Sequence, residues 1–253
     1  MSFGGERVAG MISFVIPAHN EAALIGRTLA AVHDAARAVG EPYEAIVVDD
    51  ASTDGTGALA REHGARVIAV NFRRIAATRN AGAREATGEL LFFVDADTLV
   101  PVRAFRAAVR ALRRGIVGGG AAVRFDGAVP LYATILERVV LPPLLTLLKL
   151  PPGCFLFCTR RAYMAAGGFD EALAWSEEVA FSSRLKRQGR FVLLREFVIT
   201  SGRKLRERSA LELLQVGVQL ARGQREGLDY WYGPRKSTES GDEQGRSADR
   251  PRD

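Results

Sequence analysis

The chain has 253 residues, 47% hydrophobic and 25% charged, which suits one α/β domain with a full core rather than two separate domains. Its net charge of +6 is carried almost wholly by arginine, since Lys149, Lys186, Lys204 and Lys236 are the only lysines. The arginines scatter over predicted helices without the signature of a DNA- or RNA-binding module, which argues against a nucleic-acid partner and leaves open a basic face toward anionic lipid or phosphate.

Residues 1–10 form a polar lead-in without the charged, apolar, small-residue order of a signal peptide. Ile12 to Pro17 reads as the first strand, and Asn20 as the cap of a helix whose apolar face carries Leu24, Ile25, Leu29, Val32, Ala36 and Val39, closed by Gly40. Ala45 to Val48 is the second strand and runs into Asp49-Asp50-Ala51-Ser52-Thr53-Asp54-Gly55. A helix over 57–63 and a strand over Arg66 to Val70 follow, then a helix from about Ile75 to Thr87. Leu90-Leu91-Phe92-Phe93-Val94 is apolar throughout, as an inner strand of a mostly parallel sheet requires, and it ends in Asp95-Ala96-Asp97. Strands alternating with helices predict right-handed crossovers and a doubly wound sheet with helices on both faces. In such sheets ligands bind beyond the carboxyl ends of the strands, where an Asp-x-Asp step sets two hard oxygen donors about 6–7 Å apart, suited to Mg²⁺ or Mn²⁺ carrying a diphosphate. The first strand is followed by no glycine-rich turn, which excludes the usual dinucleotide fingerprint.

In the second half, Pro101 to Arg114 is a basic helix with Pro101 at its first position, and Ile116 to Phe125 a strand bearing Gly118-Gly119-Gly120, which marks close packing or ligand approach. Leu131 to Leu150 reads as one or two amphipathic helices broken at Pro142-Pro143; its most apolar run, Val139 to Leu148, is too short to span a bilayer. Cys154 and Cys158 fall on a predicted strand about 13 Å apart, too far for a disulfide or a shared metal, and are expected to be reduced thiols of a cytoplasmic protein. Arg160 to Ala166 is a short helix stopped by Gly167-Gly168; Trp175 to Gln188 is a helix opened by Glu177-Glu178; Phe191 to Leu194 is the last clear strand. A helix is predicted over about 209–222, and residues 233–253 have the composition of a disordered tail.

Five landmarks, in this order, resemble glycosyltransferase family 2, the nucleotide-sugar-dependent enzymes of GT-A fold. They are Val15-Ile16-Pro17-Ala18-His19-Asn20-Glu21; Val47-Val48-Asp49-Asp50 with Ala51 to Thr56; Arg79-Asn80-Ala81-Gly82; Val94-Asp95-Ala96-Asp97; and Gly167-Gly168-Phe169-Asp170-Glu171 with Glu177-Glu178 after it. Each is weak alone, but the ordered set is specific, and the resemblance covers roughly residues 11–205. It implies one GT-A domain over 11–232, with a nucleotide-binding half (11–100) and an acceptor half (101–232). It implies that Pro17 and Glu21 line the nucleoside pocket, that Asp50 accepts the N–H of the base, that Arg79 reaches the nucleotide unless it is a solvated helix arginine, that Asp95 serves the ribose or the metal, and that Asp97 ligates Mg²⁺ or Mn²⁺. Asp49 is expected to stabilise its loop, and His19 to be structural.

The mechanism implied is a single inverting displacement, in which a carboxylate removes the proton of an acceptor hydroxyl. The family carries a Glu-Asp pair there, and the matching position in this chain is Glu178, a departure. Glutamate has the base strength of aspartate to about half a pKa unit, but its extra methylene moves the oxygen by more than about an ångström, and a shift of that size costs about a hundredfold in rate. Either the backbone compensates, or Glu177 or Asp170 is the base. Arg203 and Lys204, in Thr200-Ser201-Gly202-Arg203-Lys204, resemble in part a segment that folds over the diphosphate. The processive Gln-x-x-Arg-Trp motif and transmembrane helices are missing, which implies one sugar per encounter. The expected partners are a nucleotide-diphosphate sugar and a hydroxyl on a sugar or lipid, with peripheral contact at the inner membrane face through 131–150. The alternatives are a retaining transferase of the same fold, which needs no base at Glu178, and a nucleotide-sugar-binding protein without turnover.

Overall fold

The computed structural model describes residues 10–127, 134, 151–173 and 176–203. The expectations for the lead-in, the 131–150 segment, Trp175, Lys204, the 209–222 helix and the 233–253 tail therefore lie outside the described residues, Gly10 and Thr134 excepted.

The elements are β1 (Ile12–Ala18), α1 (Ala22–Val39), β2 (Tyr43–Asp50), α2 (Thr56–Glu62), β3 (Arg66–Val70), α3 (Ile75–Glu85), β4 (Leu90–Val94), β5 (Thr98–Leu99), α4 (Val102–Arg113), β6 (Gly118–Phe125), β7 (Phe155–Thr159), α5 (Arg160–Ala166), α6 (Glu177–Gln188) and β8 (Phe191–Thr200). One eight-stranded sheet runs in the order β3-β2-β1-β4-β7-β6-β8-β5. Its first four strands are parallel, with β1 between β2 and β4. Beyond β4 the directions mix: β7 is antiparallel to both β4 and β6, β6 and β8 are parallel, and β5 closes antiparallel on β8.

The apolar run of β4 is explained by what covers it. Leu90, Phe92 and Val94 join one core with Phe14, Phe105, Phe155 and Phe157 under α1, α2 and α4. Leu91 and Phe93 join a second with Val15, Ile46, Tyr163, Phe169 and Phe181 under α3, α5 and α6. Strand side chains alternate between faces, so a strand covered on both sides must be apolar at every position. Burying each phenylalanine contributes about 1.5–3 kcal/mol.

Glycine is needed where layers meet closely. A methyl on Gly82 of α3 would strike Val15 and stand 2.8 Å from Val48, so this helix packs directly onto β1 and β2. A methyl at Gly119 would strike the carbonyl of Val192, and one at Gly118 would stand 2.9 Å from that of Phe157. The glycine triplet is thus a close-packing device between β7 and β8.

Three local expectations change. Asn20 does not cap α1: it sits at φ 51°, and its Oδ1 accepts from the backbone of Thr53 across the cleft between two loops. Pro101 precedes α4 as its cap residue instead of opening it. The last strand runs to Thr200, six residues beyond Leu194, because β6 and β5 both pair with it.

Candidate functional site

The carboxyl ends of β1, β2 and β4 open on one cleft of about 370 Å³, lined by Pro17, His19, Glu21, Asp50, Thr78, Asp95 and Asp97 among others. Parallel strands deliver their terminal residues to the same edge of the sheet, so three acidic sequence motifs become one site.

Asp50 is almost fully buried, and its Oδ1 accepts from the backbone N–H of Phe72 (2.7 Å) and Arg73 (3.1 Å). Its Oδ2 accepts from the hydroxyl of Thr78 at 2.9 Å. A carboxylate offers about four acceptor sites, so these three donors fix its orientation and leave little spare capacity. Asp49 accepts from the Ser52 backbone at 3.2 Å, the turn-stabilising role expected of it. His19 is structural and also lines the cleft: its Nδ1 lies 2.7 Å from the carbonyl of Asp50, and its Nε2 3.3 Å from both Asn20 and Arg73.

Glu21 is buried at the start of α1, its backbone N–H donating to Thr56 at 2.8 Å. Its carboxylate meets the guanidinium of Arg203, with both oxygens 3.3 Å from Nη2. Arg203 lies just past β8, so the far edge of the sheet supplies a cation to this carboxylate.

Asp97 is half-buried and positioned from the same side. Thr200 donates to its Oδ1 at 3.3 Å, and the Ser201 backbone donates to its carbonyl at 3.2 Å. Thr28 of α1 donates to the neighbouring carbonyl of Ala96 at 2.7 Å.

Arg79 takes a role that its sequence did not suggest. It is 1% exposed, neither a solvated helix arginine nor one of the residues lining the cleft. Its Nη2 donates to Asp95 at 2.9 Å and to the carbonyl of Gly153 at 3.1 Å, while its Nη1 donates to Glu177 at 2.7 Å. Burial alone would favour the neutral form, but Asp95, Glu177 and Glu178 outweigh it and hold the guanidinium charged. One buried cation therefore ties the end of β4, the approach to β7 and the first turn of α6 into one unit. Each of the two acids thus has an oxygen held by the fold, that of Asp95 by Arg79 and that of Asp97 by Thr200.

The three candidate bases separate. Glu177 is 3% exposed and serves as counter-ion to Arg79. Asp170 lies in a different depression, beside Arg184 and close to Asn80 and Tyr163, with its Oδ1 accepting from the Ala172 backbone. Glu178 is half-buried, and burial together with the adjacent Glu177 pushes its carboxyl up to about 7, against the pull of Arg79. Its Cγ would lie 3.2 Å from a methyl placed on Gly153, so an alanine there would press the Glu178 side chain aside by a few tenths of an ångström. Gly153 escapes sequence reasoning because nothing local marks it; it meets Arg79 and Glu178 only through the fold.

Cys154 and Cys158 are unbridged. Cys154 precedes β7 instead of lying on it, and burial beside Asp95 and Asp97 holds its thiol protonated, which disfavours metal ligation. Among the described residues no three His, Cys, Asp or Glu side chains cluster as a metal cage. Mg²⁺ or Mn²⁺ carrying a diphosphate needs only one or two protein carboxylates, so Asp97 with substrate oxygens fits such an ion.

A mixed α/β sheet of this order, with carboxylates gathered at the ends of β1, β2 and β4, defines the GT-A class of nucleotide-sugar-binding folds. Residues 13–167 match the model of the Glycosyl transferase family 2, and the chain belongs to that family. It is 40% identical over 95 residues to a validoxylamine A glucosyltransferase of Streptomyces hygroscopicus, covering 35% of this chain and 22% of that one. It is 29% identical over 166 residues to an undecaprenyl-phosphate 4-deoxy-4-formamido-L-arabinose transferase of Pseudomonas paraeruginosa, covering 62% and 49%. The chain thus spans half or less of the length of these curated relatives. Among solved structures, a mannosyltransferase of Pyrobaculum calidifontis in complex with GDP-Man and Mn²⁺ aligns with a TM-score of 0.58 at 20% identity, over 75% of this chain and 56% of that one. Glucosyl-3-phosphoglycerate synthase of Mycobacterium tuberculosis, in complex with Mn²⁺, UDP and phosphoglyceric acid, aligns with a TM-score of 0.57 at 23% identity, over 85% and 78%.

Proposed function

We propose that this protein is a non-processive, metal-dependent, inverting glycosyltransferase that moves one sugar from a nucleotide-diphosphate donor to a hydroxyl acceptor, with Glu178 as general base. The observation that carries this reading is the convergence of Glu21, Asp50 and Asp97 on one cleft, with Glu178 tied to it through Arg79.

The nucleoside occupies the side of the cleft formed by Pro17, Glu21 and Asp50, and the diphosphate lies toward Asp97. Asp97 would hold Mg²⁺ or Mn²⁺, which would supply positive charge to offset the negative charge developing on the departing nucleoside diphosphate. Arg203 sits at the same mouth and adds positive charge there once it exchanges Glu21 for phosphate oxygen; Lys204, next in sequence, is proposed for the same task. Asp95, locked by Arg79, keeps the Asp97 loop in register and is proposed to serve the ribose side of the donor. Glu178 accepts the proton of the acceptor hydroxyl as that oxygen attacks the anomeric carbon. Raised toward 7, the carboxylate is a stronger base than an exposed glutamate while still ionised in useful proportion near neutrality. Glu177 is the counter-ion of Arg79 and not a second base.

The proposed acceptor is a sugar or lipid hydroxyl; the Streptomyces relative is named for validoxylamine A and the Pseudomonas relative for undecaprenyl phosphate, a lipid that carries a phosphate. Among the described residues no helix is long and apolar enough to cross a membrane. The proposed location is the cytoplasm, with peripheral contact at the inner membrane face.

A thermal-shift panel of nucleoside diphosphates and their sugars, with Mn²⁺ or with chelator, tests the donor half of this reading. The expected result is stabilisation by one base family that chelator removes. Affinity for every sugar nucleotide unaffected by chelator would overturn the metal assignment. Once a donor is found, the anomeric configuration of the product tests inversion; a retained configuration removes Glu178 as base.

A further inference from the structure

From Thr98 to Phe125 the chain contains no acidic residue and six arginines. Five of these, Arg103, Arg106, Arg110, Arg113 and Arg114, belong to α4 and its C-terminal cap, and all five are exposed. Their spacing puts them on one side of the helix, opposite the buried Ala104, Phe105, Ala108, Val109 and Leu112. The result is a line of guanidiniums about 16 Å long.

This line works against the helix that carries it. Arg106 and Arg110 are like charges four residues apart, an arrangement that destabilises a helix. Arg103 stands in the first turn, where the helix dipole disfavours a cation. Solvated helix faces ordinarily relieve such charge with interspersed acids, yet among the described residues only Arg113 has a carboxylate partner, Glu41. Arg106 donates to the carbonyl of Ala38, and neither Arg103, Arg110 nor Arg114 ion-pairs with any described carboxylate. Beside the line, an open groove of about 690 Å³ between α1 and α4 has Val39 and Val109 in its floor.

We propose that the arginine face of α4 is a docking surface for an anionic lipid bilayer. Guanidiniums take lipid phosphate oxygens in pairs of hydrogen bonds, and their methylene stems cover apolar surface as the charged ends reach outward, matching a groove with an apolar floor and a cationic rim. A single-stranded nucleic acid fits less well, because it calls for an aromatic face on which bases stack. Phe197, the aromatic ring next to this face, already carries Arg103 at 4.3 Å and Arg124 at 3.6 Å from its centre. The surface concerns α4 and not the donor cleft, so it stands or falls apart from glycosyl transfer.

The test is co-sedimentation of the whole chain with vesicles of phosphatidylcholine alone and of phosphatidylcholine mixed with phosphatidylglycerol, at low and at physiological salt. Binding is expected only with phosphatidylglycerol, and weaker at the higher salt. The double variant Arg106→Gln, Arg110→Gln is expected to lower partition by about 25-fold, since each basic residue near an anionic surface contributes about fivefold. Its Tm should be unchanged or higher, because a repulsive pair has been removed, so lost binding is not lost folding. The control pair Arg187→Gln, Arg190→Gln removes the same charge from another element and is expected to bind nearly as the parent does. The proposal is overturned by failure to bind phosphatidylglycerol vesicles at low salt, by equal losses from the two double variants, or by a DNA oligonucleotide binding more tightly than the vesicles and displacing them.

Discussion

The two halves of the sheet bring their acids to the site by different means. In the β1–β4 half every strand is parallel, and Glu21, Asp50 and Asp97 each lie at or just beyond a strand's carboxyl end, so chain direction gathers them, and Thr200 and Arg203 then hold Asp97 and Glu21. In the β6–β8 half strand direction reverses at β7, and Glu178 comes from a helix. There, position depends on tertiary contacts: the buried Arg79 links Glu177 to Asp95, and Gly153 leaves room for the Glu178 side chain. A regular parallel sheet is a general way to collect ligand-binding groups, whereas a carboxylate carried on a helix, as Glu178 is, depends on side-chain contacts for its position.

That contrast can be broken from either half. The largest effect is expected for Asp97→Asn, which should abolish metal-supported donor binding, read as loss of the Mn²⁺-dependent thermal shift while Tm without ligand stays close to the parent. Next, Glu178→Gln should leave that shift intact and lower turnover by about 10²–10⁴-fold, the usual contribution of a general base; an active Glu178→Gln enzyme would mean the base lies elsewhere. Arg79→Met tests the link between the halves: it strands Asp95 and Glu177 as buried unpaired charges, at a cost of about 3–5 kcal/mol, measurable by denaturant unfolding.

Gly153→Ala sharpens the comparison further, because it should reduce kcat by up to about a hundredfold through displacement of the Glu178 carboxylate, with donor KM little changed. The shorter side chain of Glu178→Asp in the same background should recover part of that loss, which general misfolding could not produce. The smallest effect is in pH dependence. A base must be unprotonated to act, and Glu178 is held near 7, so turnover should fall about tenfold per unit as pH drops below that value and level off above it. In Arg79→Lys, which keeps the charge but not the two-pronged geometry, the limb should move to higher pH, because Arg79 favours the ionised form of Glu178 and a less well placed cation does so more weakly.

Much of the first half was legible in the sequence. Continuous apolar runs gave β1, β2 and β4, and the Asp pairs at the ends of β2 and β4 predicted the cleft, because burial on both faces and the strand-end rule both act along contiguous residues. Asn20 misled, since a residue type that commonly caps helices is used here to bridge two loops at positive φ. Arg79 misled more, because arginine is almost never fully buried unless paired, and its partners lie 16 and 98 positions away. The glycine triplet left packing and ligand approach open, and the facing carbonyls of Phe157 and Val192 decide for packing.

By itself the sequence determined the alternating elements, the two-sided burial of β4 and the acids that would meet at the strand ends, because periodicity and local chain direction encode them. Only the tertiary structure decided that β7 runs against β4, that Arg79 is the buried clasp between the halves, and that Glu177 is its counter-ion. Those outcomes depend on which distant groups share a low-dielectric interior, where an unpaired charge is costly and one missing methyl makes room for a side chain, and neither quantity is written in any contiguous stretch of residues.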